Sequence, residues 1–348
     1  MNLKRKSKIP LDEFINLSLY DKKNGYYMKQ NPIGKKGDFT TAPNISRLFS
    51  EMIAVWIVSF WQNLGSPKNF NLIELGAGNG EMMKVLIESF KNFPDFTKSC
   101  KIFIHEKSLK LIKVQKERLK GHKIEWLYDL NKLKKEPSVF IANEFFDSIA
   151  IKQFIKLKNT WFERFVEMKD GNNAFFFNKK INIKNLEKKI NYKISSKQNF
   201  IEYSEVGVNY LKKISNIIKK NQGGVLIIDY GYFEHKMKNT LQAVSNHKYS
   251  NILENIGNSD ITHNISFNFF KKIIKKIGGL SESLTNQKKF LTKIGIKQRA
   301  EIISKNLPFS KKADLFYRLK RLIDEKQMGN HFKVMLIKNK NDKFNLGF

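Results

Sequence analysis

The residues between Leu72 and Gly80 form the pattern with the clearest chemical meaning in this chain. An apolar run ends at Glu74, and glycines then alternate at Gly76, Gly78 and Gly80 before a helix-like segment begins. Glycine lets the chain turn sharply and lets its backbone approach a ligand more closely than a Cβ atom would permit. The pattern therefore predicts a site for a nucleotide-type cofactor at the end of a buried strand.

The glycine spacing indicates which cofactor this site accepts. A dinucleotide fingerprint requires Gly-x-Gly-x-x-Gly, whereas here Gly80 is the third glycine and Glu81 follows it. The motif also lacks the lysine of a phosphate-binding P-loop, so no pyrophosphate has to be neutralised. This spacing after an acid is typical of Rossmann-like methyltransferases that use S-adenosylmethionine (SAM), in which Glu74 would hold the ammonium end of the ligand directly or through water. The alternative is an ordinary strand-turn-helix whose glycines serve packing.

Two acids that end the next predicted strands are candidates for the same site, because ligands bind outside the carboxyl ends of parallel strands. Glu106 ends the second strand, where a carboxylate can accept hydrogen bonds from both ribose hydroxyls. Asp129 follows the third strand, where it would face the adenine amino group. The alternative for Glu106 is an exposed acid at a strand end.

The segment after the fourth predicted strand is the candidate for the reactive face. It carries Asn143, Glu144 and Asp147 around two phenylalanines. Methyl transfer from a sulfonium is an in-line displacement, so the protein mainly has to aim the nucleophile and exclude water. A guanidinium is always charged and a poor nucleophile, and Glu144 and Asp147 could orient it as a paired clamp. The alternative is that these acids cap the next helix.

Two further segments are predicted to lie on the substrate side. A glycine-rich stretch near the N-terminus contains Asp38, Phe39 and Thr40, and it either closes over a ligand or forms an irregular arm packed on the core. A later polar stretch contains His247 and Asp260 and is too long for a tight turn. Since no metal-binding spacing occurs there, we predict a loop that lines the substrate cleft and no metal.

Alternating strand and helix patterns predict parallel strands joined by right-handed crossovers. The fold class is therefore α/β, with a Rossmann-like sheet, an N-terminal arm and an antiparallel insertion. We expect residues 1–64 to form the arm and a helix packed on the core, and 65–150 the first part of the SAM-binding core. Residues 151–200 would form the antiparallel insertion, ending in a surface connection over 178–199, and 201–348 the remainder with substrate-side loops and helices. The predicted strands are 71–75, 102–105, 124–126, 138–142, 153–157, 161–168, 174–177, 223–231 and 332–337, and the predicted helices are 45–64, 81–90, 109–119, 203–220, 267–277 and 297–305.

Composition narrows the function classes. The chain has 348 residues and a formal net charge of +32, which would ordinarily suggest nucleic acid or an anionic membrane surface. However, only seven of its 64 basic residues are arginine, the residue whose guanidinium reads bases and phosphates in bidentate fashion. We therefore interpret the charge as a solvated surface and disfavour nucleic acid as a partner.

Other features bear on the compartment. Cys100 is the single cysteine, which excludes an intramolecular disulfide and fits a reducing cytoplasm. The longest apolar segment, Met52 to Trp61, is too short to span a bilayer, and the first ten residues lack the apolar core of a signal peptide. We expect a soluble protein without a transmembrane segment.

Together, several short motifs resemble the MidA-like proteins, a family that includes a mitochondrial complex I assembly factor. The resemblance extends from about Ile9 to Leu336. The motifs that carry it are Gly25-Tyr26-Tyr27, Gly37 to Pro43, Glu74 to Gly80, Asn143 to Asp147, Trp161 to Arg164, Asp229-Tyr230-Gly231, Thr240 to Ala243, Asp260-Ile261-Thr262, Gln287 with Phe290-Leu291, and Met328-Gly329.

The resemblance implies a SAM-binding Rossmann-like fold and a cofactor role for Glu74, Glu106 and the three glycines of the loop. Family members are linked to symmetric arginine dimethylation of a respiratory complex I subunit during assembly. This chain departs from the family pattern at Asn44, Ser50, Asn264 and Ser266. These positions lie in the arm and the late loop, so the departures concern the acceptor more than the cofactor.

The primary hypothesis is thus a SAM-dependent protein arginine methyltransferase that acts on a complex I subunit or a similar protein. Since the match begins close to Met1, leaving no room for an organelle presequence, we expect a bacterial cytoplasmic protein. One alternative is a binding or assembly protein that keeps the SAM fold as a scaffold. The other is a methyltransferase with a nucleic-acid or small-molecule acceptor. The sequence makes no prediction of oligomeric state.

Overall fold

The computed structural model of the protein describes residues 8–29, 40–168, 174–245 and 248–348. The strands are β1 (Lys8–Pro10), β2 (Phe70–Leu75), β3 (Cys100–His105), β4 (Ile124–Trp126), β5 (Ser138–Asn143), β6 (Lys152–Leu157), β7 (Thr160–Met168), β8 (Ala174–Ile181), β9 (Phe200–Tyr203), β10 (Gly223–Tyr232), β11 (Gln242–Ser245), β12 (Lys248–Ser250), β13 (Asp260–Thr262), β14 (Ile265–Ser266), β15 (Leu280–Asn286) and β16 (Phe332–Asn339).

Helices connect these strands and cover the sheets. They are α1 (Leu11–Tyr20), α2 (Tyr26–Lys29), α3 (Ala42–Ile45), α4 (Arg47–Asn63), α5 (Glu81–Phe90), α6 (Pro94–Ser99), α7 (Leu109–Arg118), α8 (Ile183–Ile190), α9 (Glu205–Asn221), α10 (Phe267–Ile277), α11 (Gln287–Lys293), α12 (Ile296–Ser304), α13 (Phe309–Ile323) and α14 (Met328–His331).

The central sheet has the strand order β15-β16-β10-β5-β2-β3-β4. Strands β4, β3, β2, β5 and β10 run parallel to one another, and β16 lies antiparallel between β10 and β15. The carboxyl ends of the parallel strands therefore meet at one edge, together with the start of β16. The order of the parallel strands reverses between β2 and β5, since β3 and β4 follow on one side and β10 on the other. Open α/β sheets bind their ligands at such a switch point.

The central strands are buried on both faces, so their sequences read as continuous apolar runs rather than alternating ones. Every residue of β2 and of β5 is buried. Successive side chains still point to opposite faces: Leu72 and Val139 join the core on the α4 side, whereas Ile73 and Phe140 join the core on the α9 side. Helices α4 and α9 thus pack on opposite faces of the sheet and hold the ends of its strands in place.

Two smaller sheets cover the carboxyl edge of the central sheet. One is antiparallel and contains β1, β6, β7, β8 and β9, with the order β1-β7-β6-β9 and β8 also paired to β7. The other is the antiparallel sheet β12-β11-β13. Both contribute to a third apolar core with α1, which includes Phe14, Val166 and Ile261. This packing places α1 and β13 beside the ends of the parallel strands.

Most sequence-predicted elements are confirmed within one to three residues, including the parallel strands, α4, α5, α9 and α10. The interpretation of 178–199 as a plain surface connection is wrong, because it contains the end of β8 and all of α8. Ile183, Leu186 and Ile190 form an apolar face on α8, and Asn182 caps its first turn. The sequence predictions include no helix before residue 45, yet α1 buries Leu11, Phe14, Ile15, Ser18 and Leu19 at helical spacing.

The polar stretch from residue 247 to 262, predicted as a loop, supplies the short strands β12 and β13. Their cross-strand partners lie on β11, and this long-range pairing has no local signal in the sequence. Within the four described ranges, none of the helices combines the length and hydrophobicity needed to cross a bilayer.

The packing of the sheet predicts that truncating two different leucines will change the free energy of unfolding by very different amounts. Leu226 is fully buried in the centre of β10, whereas Leu157 at the end of β6 is half exposed. We expect Leu226→Ala to lower the free energy of unfolding by about 2–5 kcal/mol, because it leaves a cavity in a close-packed interior. Leu157→Ala should cost well under about 1 kcal/mol. Urea denaturation of the two variants measures the difference, and equal losses would contradict the assigned core.

Candidate active site

The glycine loop joins β2 to α5 through three residues with left-handed backbone. Gly76, Gly78 and Gly80 have φ values of +66°, +54° and +79°, which residues with a Cβ rarely adopt. The Gly76 amide donates to the carbonyl of His105 at 2.9 Å, so the loop is fastened to the end of β3. A Cβ at Gly76 would lie 2.9 Å from Cδ2 of Phe145. Glycine is therefore required there by both conformation and space.

Gln115 on α7 holds the outer part of this loop. Its Nε2 donates to the carbonyl of Gly78 at 2.9 Å and to Oε2 of Glu106 at 3.2 Å. Its Oε1 accepts from Nε1 of Trp126 at 2.9 Å. The side chain is fully buried, so these bonds are protected from water. Sequence reasoning missed Gln115, although a glutamine on the apolar face of a predicted amphipathic helix was an available signal.

Glu74 ends β2 inside the cavity and lacks a complete set of partners. Its side chain is 3% exposed, and within the described residues Oε2 has no hydrogen-bond partner. Burial, and secondly the charge of Glu106, raises the pKa of Glu74 to about 8. A buried carboxylate with an unsatisfied oxygen is costly, so this group favours a cationic or hydrogen-donating ligand.

Glu106 is better satisfied than Glu74. Oε1 accepts from the amides of Lys107 at 2.8 Å and Ser108 at 2.9 Å. Burial raises its pKa, and these amide bonds together with Gln115 oppose that shift. The hydroxyl of Ser108 donates to the carbonyl of Tyr27 at 2.8 Å. Glu106 is thus held rigidly at the end of β3, facing the same cavity as Glu74.

Asp129 does not join this group. Its carboxylate accepts from Nζ of Lys213 at 2.6 Å and from the amide of Asn131 at 3.0 Å, and Lys213 lowers its pKa. Asp129 is absent from the residues that line the cavity. The prediction that it faces adenine is wrong in this geometry, because the side chain turns outward to cap a short 3₁₀ turn. His105 lines the cavity near this strand edge and is bonded to the carbonyl of Leu127 and to Tyr210.

The segment after β5 lies opposite the glycine loop. Glu144 has a φ of +51°, which is uncommon for a residue with a side chain and occurs often at functional sites. Its Oε1 accepts from the Ala42 amide at 3.3 Å and from Nδ2 of Asn143 at 3.1 Å. Burial, and next the charge of Asp229, raises its pKa to about 8. Oδ1 of Asn143 is buried without a partner among the described residues.

Asp229, at the carboxyl end of β10, holds this segment in place. Its Oδ2 accepts from the amides of Phe146 at 2.9 Å and Asp147 at 3.3 Å, and its Oδ1 accepts from the Tyr230 amide at 2.9 Å. The side chain is fully buried, and burial raises its pKa to about 7 against the lowering effect of the amides. No helix follows residue 147 before β6, so the alternative that Glu144 and Asp147 cap a helix is wrong.

Two more carboxylates face the cavity beside Glu144. Burial, followed by the charge of Asp229, raises the pKa of Asp147 well above its usual range. Asp260 at the start of β13 accepts from the hydroxyl of Tyr27 at 2.9 Å, and Tyr27 stacks on Tyr20 of α1. Sequence reasoning named Asp147 and Asp260 as site residues, but it named Tyr27 only as part of a family motif. The contact of Tyr27 with Asp260 joins positions 233 residues apart.

Glu74, Glu106, Glu144, Asp147 and Asp260 all line one cavity of about 1030 Å³. The glycine loop forms one wall, and the segment after β5, with α1 and β13, forms the other. The lysines and arginines that line it in the described part of the chain are Lys107, Lys152 and Arg321. The acids that line it are Asp12, Glu13, Glu74, Glu106, Glu144, Asp147, Glu205 and Asp260.

The N-terminal arm reaches this cavity at Thr40. Beyond it, Oδ1 of Asn44 accepts from Nδ2 of Asn79 in the glycine loop at 2.9 Å, and the Ala42 amide bonds Glu144. The predicted substrate-side residues Asp38, Phe39 and His247 lie outside the described residues. The described end of the arm therefore bridges the glycine loop and the segment after β5.

Comparison with known proteins identifies the family. Residues 52–284 match the model of a family described as S-adenosyl-L-methionine-dependent methyltransferases. The chain belongs to this family. It is 29% identical to the protein arginine methyltransferase NDUFAF7, mitochondrial, of Xenopus tropicalis, over 96% of this chain and 83% of that protein. It is also 30% identical to the NDUFAF7 homologue of Caenorhabditis elegans, over 79% of this chain and 70% of that protein.

Solved structures agree on the fold. A Burkholderia thailandensis protein bound to S-adenosyl-homocysteine superposes with a TM-score of 0.83, at 21% identity, over 99% of this chain and 91% of that chain. A native crystal structure of a protein from the same organism gives a TM-score of 0.80 at 20% identity, again over 99% of this chain and 91% of that chain. These structures support a Rossmann-like sheet with an N-terminal arm and an antiparallel insertion, as predicted. The family match shows that the protein is a SAM-dependent methyltransferase.

The cavity fits SAM in both shape and charge. The glycine loop provides a wall without side chains, where a Cβ at Gly76 would push into Phe145. Beside it lies the unsatisfied Oε2 of Glu74, which complements the positive ammonium and sulfonium groups of SAM. Glu106 presents a second carboxylate at the next strand end, where ribose hydroxyls can donate to it.

Gly76→Ala tests this wall. The added Cβ must displace the Phe145 ring, so we expect SAM affinity to fall about tenfold or more, equivalent to about 1.4 kcal/mol of binding free energy. Gly65→Ala is the matched control, because Gly65 has a φ of +83° and nothing within 4 Å of the added Cβ. It should lose about 1–2 kcal/mol of stability from backbone strain and bind SAM normally. Calorimetric titration of both variants measures this, and equal affinities would contradict the assignment.

Glu74 predicts a pH dependence of SAM binding. Its pKa of about 8 exceeds the unfolded value, so between pH of about 4.5 and 8 the folded protein keeps this proton while the unfolded chain releases it, and the stability of the ligand-free protein falls as the pH rises. A cationic ligand favours the ionised form, so SAM binding near pH 7 should release a proton from Glu74. We expect SAM affinity to rise between pH 6.5 and 8.5, and this rise should be smaller in Glu74→Gln. Titrations in buffers of different ionisation enthalpy count the protons, and identical profiles would refute the role.

Proposed function

We propose that this methyltransferase transfers the methyl group of SAM to an arginine side chain of a protein acceptor. The curated relatives named above are protein arginine methyltransferases. The acceptor assignment rests on one observation in this chain, which is the acidic lining of the cavity. Eight carboxylates and three basic side chains line it, in a chain whose formal net charge is +32.

The contrast in charge favours a cationic acceptor. Within the described part of the chain, Glu144, Asp147 and Asp229 make no ion pair with a lysine, arginine or histidine. Burial raises the pKa of each, which means that hydrogen bonds alone do not offset the cost of burying the ionised forms. A guanidinium supplies five donors and a permanent positive charge in a planar fork that matches a pair of carboxylates.

On the cofactor side, we assign Glu74 to the ammonium end of SAM, Gly76, Gly78 and Gly80 to the close backbone wall, and Glu106 to the ribose hydroxyls. When bound, SAM supplies an electrophilic methyl group on its sulfonium. Two backbone amides and Gln115 hold the Glu106 carboxylate in place. Its assignment to the ribose hydroxyls therefore does not depend on which acceptor is methylated.

On the acceptor side, we assign Glu144 and Asp147 to the guanidinium, with Asn143 as a neighbouring polar group. The two carboxylates would orient one terminal nitrogen toward the methyl group, so that its lone pair forms the new nitrogen–carbon bond while the carbon–sulfur electron pair remains on sulfur. The same nitrogen then loses one proton. The bound guanidinium would favour the ionised form of Glu144, whose pKa burial otherwise raises to about 8, and the ionised carboxylate would accept that proton and pass it to water.

The finer parts of the proposal concern the acceptor and the compartment. An acceptor related to a respiratory complex I subunit follows from the resemblance to the MidA-like family. A cytoplasmic location follows from the single Cys100 and remains a prediction. Disfavouring nucleic acid follows from the small share of arginine in the basic residues and from the acidic cavity, which repels phosphates.

Methyl labelling tests the proposal. Purified protein and SAM with a labelled methyl group are added to a lysate of cells that lack the gene, and the labelled residue is identified by hydrolysis and mass spectrometry. We expect label in a protein band, on arginine. Glu144→Gln and Asp147→Asn should each lower the rate about a hundredfold, since each removes a proton-accepting or orienting carboxylate, while SAM affinity changes little.

Glu202→Gln provides the matched control. Glu202 is also a buried carboxylate, but it accepts from Gln153 of β6 and from Thr240 before β11, and it does not line the SAM cavity. It should label the acceptor at the normal rate. Label found on lysine, on nucleic acid or on a small molecule would refute the arginine assignment. An unlabelled lysate with intact SAM binding would favour a scaffold without this activity.

A further inference from the structure

A second cavity, of about 560 Å³, lies at the same edge of the central sheet. It sits between the end of β10 and the start of β16, and we call it the flanking cavity. Gly231, Phe233 and Lys238 line it from β10 and the turn that follows, while Asn330 and Lys333 line it from the opposite side. None of these residues lines the SAM cavity.

The two cavities adjoin at one residue. Tyr230 lines both, and its ring packs against Phe332 with centroids 4.0 Å apart. Because Tyr230 is shared by the two linings, a peptide chain that crosses it passes directly from one cavity to the other, and an extended chain advances about 3.3–3.6 Å per residue.

The flanking cavity differs from the SAM cavity in charge. Lys333 is 9% exposed, and its ammonium donates to the carbonyl and to Oδ1 of Asn330. Within the described residues it makes no ion pair. Glu234 also lines the flanking cavity and raises the pKa of Lys333, but its carboxylate pairs with Lys238 at 2.6 Å. Burial lowers the pKa of Lys333, so an anion beside it would relieve a desolvation cost.

We propose that the flanking cavity binds an acidic side chain of the acceptor protein, close in sequence to the arginine that is methylated. The proposal rests on the proposed function. Lys333 supplies the charge, Asn330 and Asn264 supply neutral polar groups, and Tyr230 separates the acidic residue from the arginine. The enzyme would thus select an arginine by the opposite charge of its neighbour, which the carboxylates around Glu144 and Asp147 cannot do by themselves.

Peptide methylation tests this selection. Short peptides carry one central arginine in an alanine and serine background, with aspartate, lysine or alanine at a single neighbouring position. Methyl transfer from SAM and fluorescence anisotropy in the presence of S-adenosyl-homocysteine are both measured. We expect aspartate at one position to lower KM and Kd about tenfold relative to alanine, with kcat nearly unchanged, and lysine there to raise both constants.

Lys333→Met should abolish the preference for aspartate without changing the constants for the alanine peptide. Lys338→Met is the matched control, because Lys338 lies on the same strand, is 6% exposed and bonds the carbonyl of Phe344, but is remote from the flanking cavity. It should keep the preference. Thermal unfolding and SAM affinity report whether either variant is misfolded, and Lys333→Gln provides a polar replacement if Lys333→Met is unstable.

The two proposals can fail separately. Peptides that are methylated equally well whatever their neighbouring residue would overturn the flanking cavity and leave the arginine assignment. Peptides that bind with a preference for aspartate but accept no methyl group would overturn the arginine assignment and leave the flanking cavity. Failure of every peptide to bind, with SAM affinity intact, would also overturn the flanking cavity, while lysate labelling still decides the acceptor.

Discussion

The carboxylate of Asp229 makes the interaction on which the rest of the cavity depends. It is fully buried at the end of β10 and accepts backbone hydrogen bonds from Phe146, Asp147 and Tyr230. Buried amides without partners would cost free energy, so these bonds fix the turn after β5 in one conformation. In that conformation Glu144 takes a positive φ, and both acids of the turn face the cavity. Asp229 therefore links β10 to the turn after β5 and orients the side chains of Glu144 and Asp147 toward the cavity.

Collecting carboxylates in this way carries an electrostatic cost. Burial raises the pKa values of Glu74, Glu144, Asp147 and Asp229, and repulsion from neighbouring acids adds to this rise for Glu74, Glu144 and Asp147. Without a cationic ligand, their neutral forms are therefore favoured. Positively charged ligands reverse this preference. A sulfonium cofactor and a cationic acceptor would each compensate part of the buried charge, and for this reason the electrostatics, the family membership and the proposed acceptor agree. The surface lysines cannot compensate it, because they remain in water.

The success of sequence reasoning differed between residues for identifiable reasons. The buried strands and the glycine loop were predictable because apolar runs and Gly-x-Gly-x-Gly spacing are local patterns. Asp129 was misplaced because the direction of a side chain after a strand depends on Lys213, which lies 84 residues away. Asp229 was named only as part of a family motif, since its hydrogen-bond partners include the segment after another strand. Tyr27 was likewise given no role in the site, because its contact with Asp260 exists only after α1 and β13 pack together.

The sequence by itself determined the class of fold, the cofactor and the identity of most acids that reach the cavity. These follow from periodicity, from glycines that free the backbone, and from the rule that parallel strands end at a common edge. Only the tertiary structure decided which acids face one another, which are held by amides, and that Tyr230 separates an acidic cavity from a basic one. Those relations depend on distances between residues far apart in the chain, and local sequence patterns do not encode such distances.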